Sequence, residues 1–207
     1  MAADRVRAAV LLSGRGSNMI ALAEYKRREA RAYDIVLVAS NSPEARGLVA
    51  ARRLGLPVWA CSHEGMKRTE FDRLLDGELR RHRVELIALA GYMRLLSPGF
   101  ISKWEGRILN IHPSLLPLYR GLDTHRRALS AGETWTGCTV HVVTDMLDDG
   151  PILAQAKVRI RARDTAETLS ARVLEEEHKL YPRTLDEFAA TMLGNRERSR
   201  GESDGRS

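Results

Sequence analysis

Asn110 and His112 stand two residues apart in Ile-Leu-Asn-Ile-His, just before Pro113. In an extended strand such a pair leaves one face together. Ile108, Leu109 and Ile111 supply apolar surroundings, and Pro113, which cannot donate a ladder hydrogen bond, ends the strand. An amide donor and an imidazole therefore sit side by side where a strand stops. The acidic loop 145–151 adds Asp145, Asp148 and Asp149. An Asn, a His and an Asp in one cleft suit acyl transfer to or from an amine. The amide and a protonated imidazole can donate to a developing oxyanion. A neighbouring carboxylate favours the imidazolium and raises its pKa toward working pH. Ser114 follows the histidine across a proline and is poorly aimed as a nucleophile. Direct attack by the substrate's own amine is the favoured reading.

The stretch Ser13-Gly-Arg-Gly-Ser-Asn18 joins a strand-like segment to a helix-like one. Such a turn presents backbone N–H groups and the positive end of a helix to an anion. It is not the dinucleotide fingerprint. Met19 holds the third glycine position, and the next strand ends in Ser40-Asn41, without an acidic residue for a ribose. It is not a P-loop, since no Gly-Lys-Ser/Thr follows. The turn reads as a cradle for one phosphate, with Gly16, Ser17 and Asn18 contributing, or as a tight turn that binds nothing. His112, His125 and His141 have neither His-x-His nor i, i+4 spacing, so no metal is expected. By alternation His141 reads as a satisfied strand histidine. His63 and His82 read as solvent-facing, and His178 as either helix surface or a polar contact.

Strands are expected at 6–12, 34–40, 57–60, 85–90 and 108–112, with helices at 18–31, 43–54, 66–82 and 100–104 between them. This alternation predicts a parallel, doubly wound sheet. A short helix at 124–131 follows. Strands at 137–144 and 152–160 are joined closely enough for an antiparallel hairpin. Asp164 or Thr165 caps a helix to about 180, and Pro182 opens a last one ending near 193. Residues 194–207 lack an apolar anchor and are expected to be disordered. The fold class is α/β: one open twisted sheet over residues 1–193, with a parallel N-terminal half and an antiparallel C-terminal extension. Ligands of such sheets bind at the C-terminal strand edge. Residues 91–98 leave that edge as an aperiodic apolar loop, suited to a flat ligand's wall or to ordinary core packing.

The 207 residues are 43% hydrophobic and 29% charged, which fits one globular domain with a substantial core. No apolar run approaches the roughly 20 residues that span a bilayer, and 8–12 is too short for a signal segment. The net charge of +6 is spread along the chain, which suits a small anion better than nucleic acid. Cys61 and Cys138 lie in apolar strand-like segments, as small core residues of a reducing, cytoplasmic protein would.

Together, Asn110-Ile-His-Pro-Ser-Leu-Leu-Pro117, Ser13-Gly-x-Gly-Ser-Asn18 and Thr144-Asp-x-Leu-Asp-x-Gly-Pro151 resemble the glycinamide ribonucleotide formyltransferases of purine biosynthesis. The resemblance covers about residues 7–190. It implies transfer of formyl from 10-formyltetrahydrofolate to the glycinamide amine, by direct attack through a tetrahedral intermediate. Asn110 and His112 would polarise the formyl oxygen, His112 would be the general acid, and Asp148 would hold it. Gly16, Ser17 and Asn18 would hold the phosphate, with Glu177 near the ribose. Arg68, Met93, Arg94, Leu95, Leu96 and Asn110 would line the folate site, and Leu147, in the loop 143–148, would meet the pterin. The preference for Asp148 over Asp145 or Asp149 rests on the resemblance alone.

The chain departs from this pattern twice. Asp149 stands where the family usually has a second glycine, and Leu118-Tyr-Arg120 replaces a commonly Lys-Tyr-Pro-like loop. A positive φ at Asp149 would cost stability. A formyltetrahydrofolate hydrolase usually carries an extra N-terminal domain, for which six residues leave no room. An initiator-tRNA formyltransferase usually needs a C-terminal RNA-binding domain, and residues 194–207 are too short for one. A non-catalytic phosphate- or folate-binding module has no need of Asn110, His112 and Asp148 together. Small-molecule substrates, no nucleic acid or membrane, and a monomer or homodimer are therefore expected.

Overall fold

The computed structural model describes residues 4–28 and 31–204. In chain order the elements are β1 (Val6–Leu12), α1 (Ser17–Arg28), β2 (Tyr33–Ser40), α2 (Arg46–Arg53), β3 (Val58–Ala60), α3 (Arg68–Arg81) and β4 (Leu86–Leu89). Then come α4 (Pro98–Lys103), β5 (Ile108–His112), α5 (Thr124–Ser130), β6 (Trp135–Val142), β7 (Ile152–Arg159) and α6 (Ala166–Asp204). The expected extension of the first helix to 31 runs across positions 29 and 30, outside the described residues.

Period-2 alternation in β1 places the sheet between two cores. Val6, Ala8, Val10 and Leu12 face one core, together with Leu22, Leu48, Leu169, Val173 and Leu185 from α1, α2 and α6. Ala9 and Leu11 face the other, with Phe71, Leu75 and Leu79 from α3, Phe100 from α4 and Trp104 just after it. Each fully buried large apolar side chain contributes about 1.5–3 kcal/mol relative to exposure.

The strand order is β3-β2-β1-β4-β5-β6-β7. The first five strands pair in parallel; β5–β6 and β6–β7 pair antiparallel, as the sequence leads one to expect. The order reverses at β1, between β2 and β4, which is where a doubly wound sheet opens a crevice. The turn after β1, the loop after β4 and the end of β5 meet at this edge.

Two expectations for the C-terminal part are corrected. Pro182 does not open a new helix; it lies inside α6. Its missing N–H breaks one bond of the helical ladder, but the helix is held there by packing. Leu180, Tyr181 and Leu185 are buried, and Tyr181 Oη donates to the carbonyls of Leu89 and Leu109 at 3.0 and 3.1 Å. The last helix also does not end near 193, since α6 continues to Asp204. Arg196 there donates to Glu85 at 2.8 Å. Residues 205–207 lie outside the described residues. Thr165 caps α6, its hydroxyl accepting from the Thr168 N–H at 3.3 Å.

Candidate active site

Asn110 and His112 occupy the last turn of the pleat in β5. Antiparallel pairing sets His141 of β6 directly opposite Asn110. The acidic loop after β6 returns Asp148 to the same place. Asp148 Oδ2 lies 3.3 Å from His112 Nδ1, and Oδ1 lies 3.6 Å from His141 Nε2. Gly150 holds this loop against β6, since a Cβ there would fall 1.7 Å from the Val142 carbonyl oxygen. The positive φ is at Asp148 (48°), not at Asp149; Asp tolerates this region better than most residues.

Hydrogen-bond capacity assigns the roles. His141 Nδ1 lies 3.1 Å from the Val142 carbonyl, which can only accept, so that nitrogen carries a proton. In the neutral ring Nε2 is then an acceptor, and Asn110 Nδ2 donates to it at 3.1 Å. This bond turns the Asn110 amide and leaves its second N–H for a ligand. His141 is thus more than a satisfied strand histidine: it orients the amide. Its signal in the sequence is its place on one face with Thr139, but the register that brings it to Asn110 is a tertiary fact.

His112 is 5% exposed, with an acceptor at each ring nitrogen. Nε2 donates to the Tyr119 carbonyl at 3.0 Å, and Nδ1 faces Asp148. Burial is the largest influence on its pKa and lowers it below 6.5, outweighing the Tyr119 carbonyl and Asp148, which both raise it. The expectation of a net rise is corrected: the carboxylate is present, but desolvation wins. Burial tends to raise the Asp148 carboxyl, yet a hydrogen bond from His141 when that ring is protonated, the Gly121 N–H and the positive charge of either imidazolium hold it below the usual range.

The turn after β1 forms one side of a cleft of about 530 Å³. Gly16 has φ 75°, and a Cβ there would meet the Gly47 Cα at 2.6 Å, so the turn sits tightly on α2. Gly16, Ser17 and Asn18 line the cleft with Glu177. Asn18 Nδ2 donates to Glu177 Oε2 at 2.7 Å, joining α1 to α6. Burial pushes the Glu177 carboxyl up to about 6, with the Asn18 bond opposing. Arg15 and His125, which motif reading left aside, line the cleft too. His63, expected to face solvent, is half-buried and bonds the Asn41 carbonyl at 2.8 Å.

A second cavity of about 240 Å³ is lined by Arg68, Arg94, Leu95, Leu96, Leu147 and Asn110, together with His141 and Asp148. Met93, expected here, lines the cleft instead, because its N–H is bonded to Ser13 Oγ at 2.8 Å. Asn110 faces the cavity, whereas Ile111 and Pro113 face the cleft. The end of β5 is therefore the wall the two spaces share. Among the described residues no helix is long and apolar enough to cross a membrane.

A family model described as formyl transferase matches residues 6–185. The chain belongs to the formyl transferase family. It is 42% identical over 185 residues to the phosphoribosylglycinamide formyltransferase of Escherichia coli, covering 89% of this chain and 87% of that one. It is similar to the solved phosphoribosylglycinamide formyltransferase of Brucella melitensis, with TM-score 0.87 and 48% identity over 90% of this chain and 97% of that one. It also matches the trifunctional purine biosynthetic protein adenosine-3 of Gallus gallus at 46% identity, but spans only 19% of that protein's length.

Proposed function

We propose that this formyl transferase moves the formyl group of 10-formyltetrahydrofolate to the amine of glycinamide ribonucleotide. The observation that carries the reading is the shared wall at the end of β5. One ligand in each space would bring an amine and a formyl carbon together beside Asn110. The ribonucleotide fits the cleft, with its phosphate on the N–H groups of the β1–α1 turn and its ribose by Glu177. The folate fits the cavity, its apolar ring against Leu95, Leu96 and Leu147 and its carboxylates toward Arg68 and Arg94. Buried polar atoms without a protein partner line both spaces: Asn18 Oδ1 and His125 Nδ1 in the cleft, Tyr92 Oη and Arg94 Nε in the cavity. Such atoms usually have partners, and the substrates would supply them.

In this reading the substrate amine attacks the formyl carbon directly. The free Asn110 N–H donates to the oxygen on which negative charge develops. His112 takes the proton the amine loses and returns it to the departing folate nitrogen. Asp148 stabilises the imidazolium while it carries that proton. Nε2 must be released by the Tyr119 carbonyl, or Nδ1 by Asp148, for the ring to reach substrate.

The two spaces can be tested separately by initial-rate kinetics. Asn18→Ala is expected to raise the KM for the ribonucleotide by about tenfold or more, the scale of a lost hydrogen bond to a charged group, with the folate KM unaltered. Arg68→Ala is expected to do the reverse. Both KM values shifting together in either variant would contradict separate subsites.

A further inference from the structure

Two bonds run side by side between the loop after β5 and the loop after β6. The Gly121 N–H donates to Asp148 Oδ2 at 2.9 Å. One residue further on each side, Arg120 Nη2 pairs with Asp149 Oδ1. Arg120 lies in one of the two stretches at which the chain departs from the motif it resembles, Asp149 is the other departure, and they meet each other.

Arg120 is itself held in place. Its carbonyl accepts from Arg127 Nη1 at 2.5 Å, and the same nitrogen donates to the Leu122 carbonyl at 3.2 Å. The Arg127 guanidinium lies 5.4 Å from the centre of the Tyr119 ring. The Tyr119 carbonyl is the acceptor for His112 Nε2. Three consecutive residues thus hold the reacting groups: Tyr119 takes one nitrogen of His112, Gly121 takes Asp148, and Arg120 between them takes Asp149.

We propose that the Arg120–Asp149 pair is a tether that keeps Asp148 aimed at His112, with Arg120 a positioning residue. The role in turnover rests on the formyl-transfer reading; the tether itself does not. Without Arg120, the neighbouring Gly121 N–H is less firmly presented to Asp148, and Asp149 is left as an unpaired carboxylate next to it. Both side chains are 40% exposed, so the effect is that of a surface ion pair, about fivefold at the upper end.

The test compares Arg120→Ala, Asp149→Ala and the exchanged pair Arg120→Asp/Asp149→Arg with wild type. Hydrogen exchange of the Gly121 amide, followed by NMR, reads the adjacent bond without reference to activity. It is expected to accelerate by about fivefold in each single variant and to return to within about twofold of wild type in the exchanged pair. In the same proteins kcat is expected to fall by about fivefold in the single variants, with both KM values within about twofold, and to recover in the exchanged pair. Arg120→Lys, which keeps the charge but not the fork, falls between wild type and alanine. Unchanged Gly121 exchange in the single variants overturns the tether. So does faster exchange with unaltered kcat, or an exchanged pair no better than the single variants. A wild-type protein that transfers no formyl group sinks the functional reading instead, and the exchange result still judges the tether.

Discussion

Replacing His112 with alanine lowers kcat by about three orders of magnitude, while the folate KM stays within a few fold. The size follows from the ring's position. His112 lines neither ligand space, so it gives little to ground-state binding. Its nitrogens are committed to Asp148 and the Tyr119 carbonyl, and in the proposed mechanism its value lies in carrying a proton between nitrogens during transfer. Loss of packing is separated by His112→Gln, which keeps bulk and a hydrogen-bonding group but cannot carry a proton at neutral pH. It is expected to fall nearly as far as alanine. Turnover near wild type in both variants removes His112 from the mechanism.

Changing Asp148 to asparagine lowers kcat by about a hundredfold and lowers the His112 pKa further. Asparagine is the informative choice because residue 148 has φ 48°, which Asn adopts readily and alanine does not. The sign follows from the forces on His112. Burial already places its pKa below 6.5, and the Asp148 carboxylate opposes that fall. Removing the negative charge leaves burial less opposed, so the imidazolium becomes harder to form. An NMR titration of the ring measures this directly, and a raised or unchanged pKa in the variant contradicts the coupling. The same sign sets a stability trend. A histidine whose folded pKa lies below its unfolded value contributes stability that is complete above 6.5 and lost as the pH falls through the folded value. Burial lowers His125 and His178 as well, so all three weaken the fold in mild acid.

Much of this site is legible in local sequence. Asn110 and His112 share a face because a strand has period 2, and Pro113 fixes where that strand stops. The β1–α1 turn is legible from its glycines, and the sheet from the alternation of elements. What local sequence withholds is set by distant partners. His141 acquires its role from the antiparallel register with β5, which alternation alone does not give. The direction of the His112 shift depends on burial, whereas sequence shows only that acids lie nearby. Pro182 is a fair signal for a helix start, overridden here by Tyr181 and Leu185 packing α6 across the sheet. Met93 departs from its neighbours because Ser13, 80 residues earlier, holds its N–H. The Arg120–Asp149 pair joins two departures that look unrelated in the linear chain.

The most direct measurement is the absorbance change on deformylation of 10-formyltetrahydrofolate, with glycinamide ribonucleotide and without it. Turnover that requires the ribonucleotide is the expected result, and it identifies the donor and the acceptor together. Equal turnover without the ribonucleotide means that water accepts the formyl group, and contradicts the transferase reading.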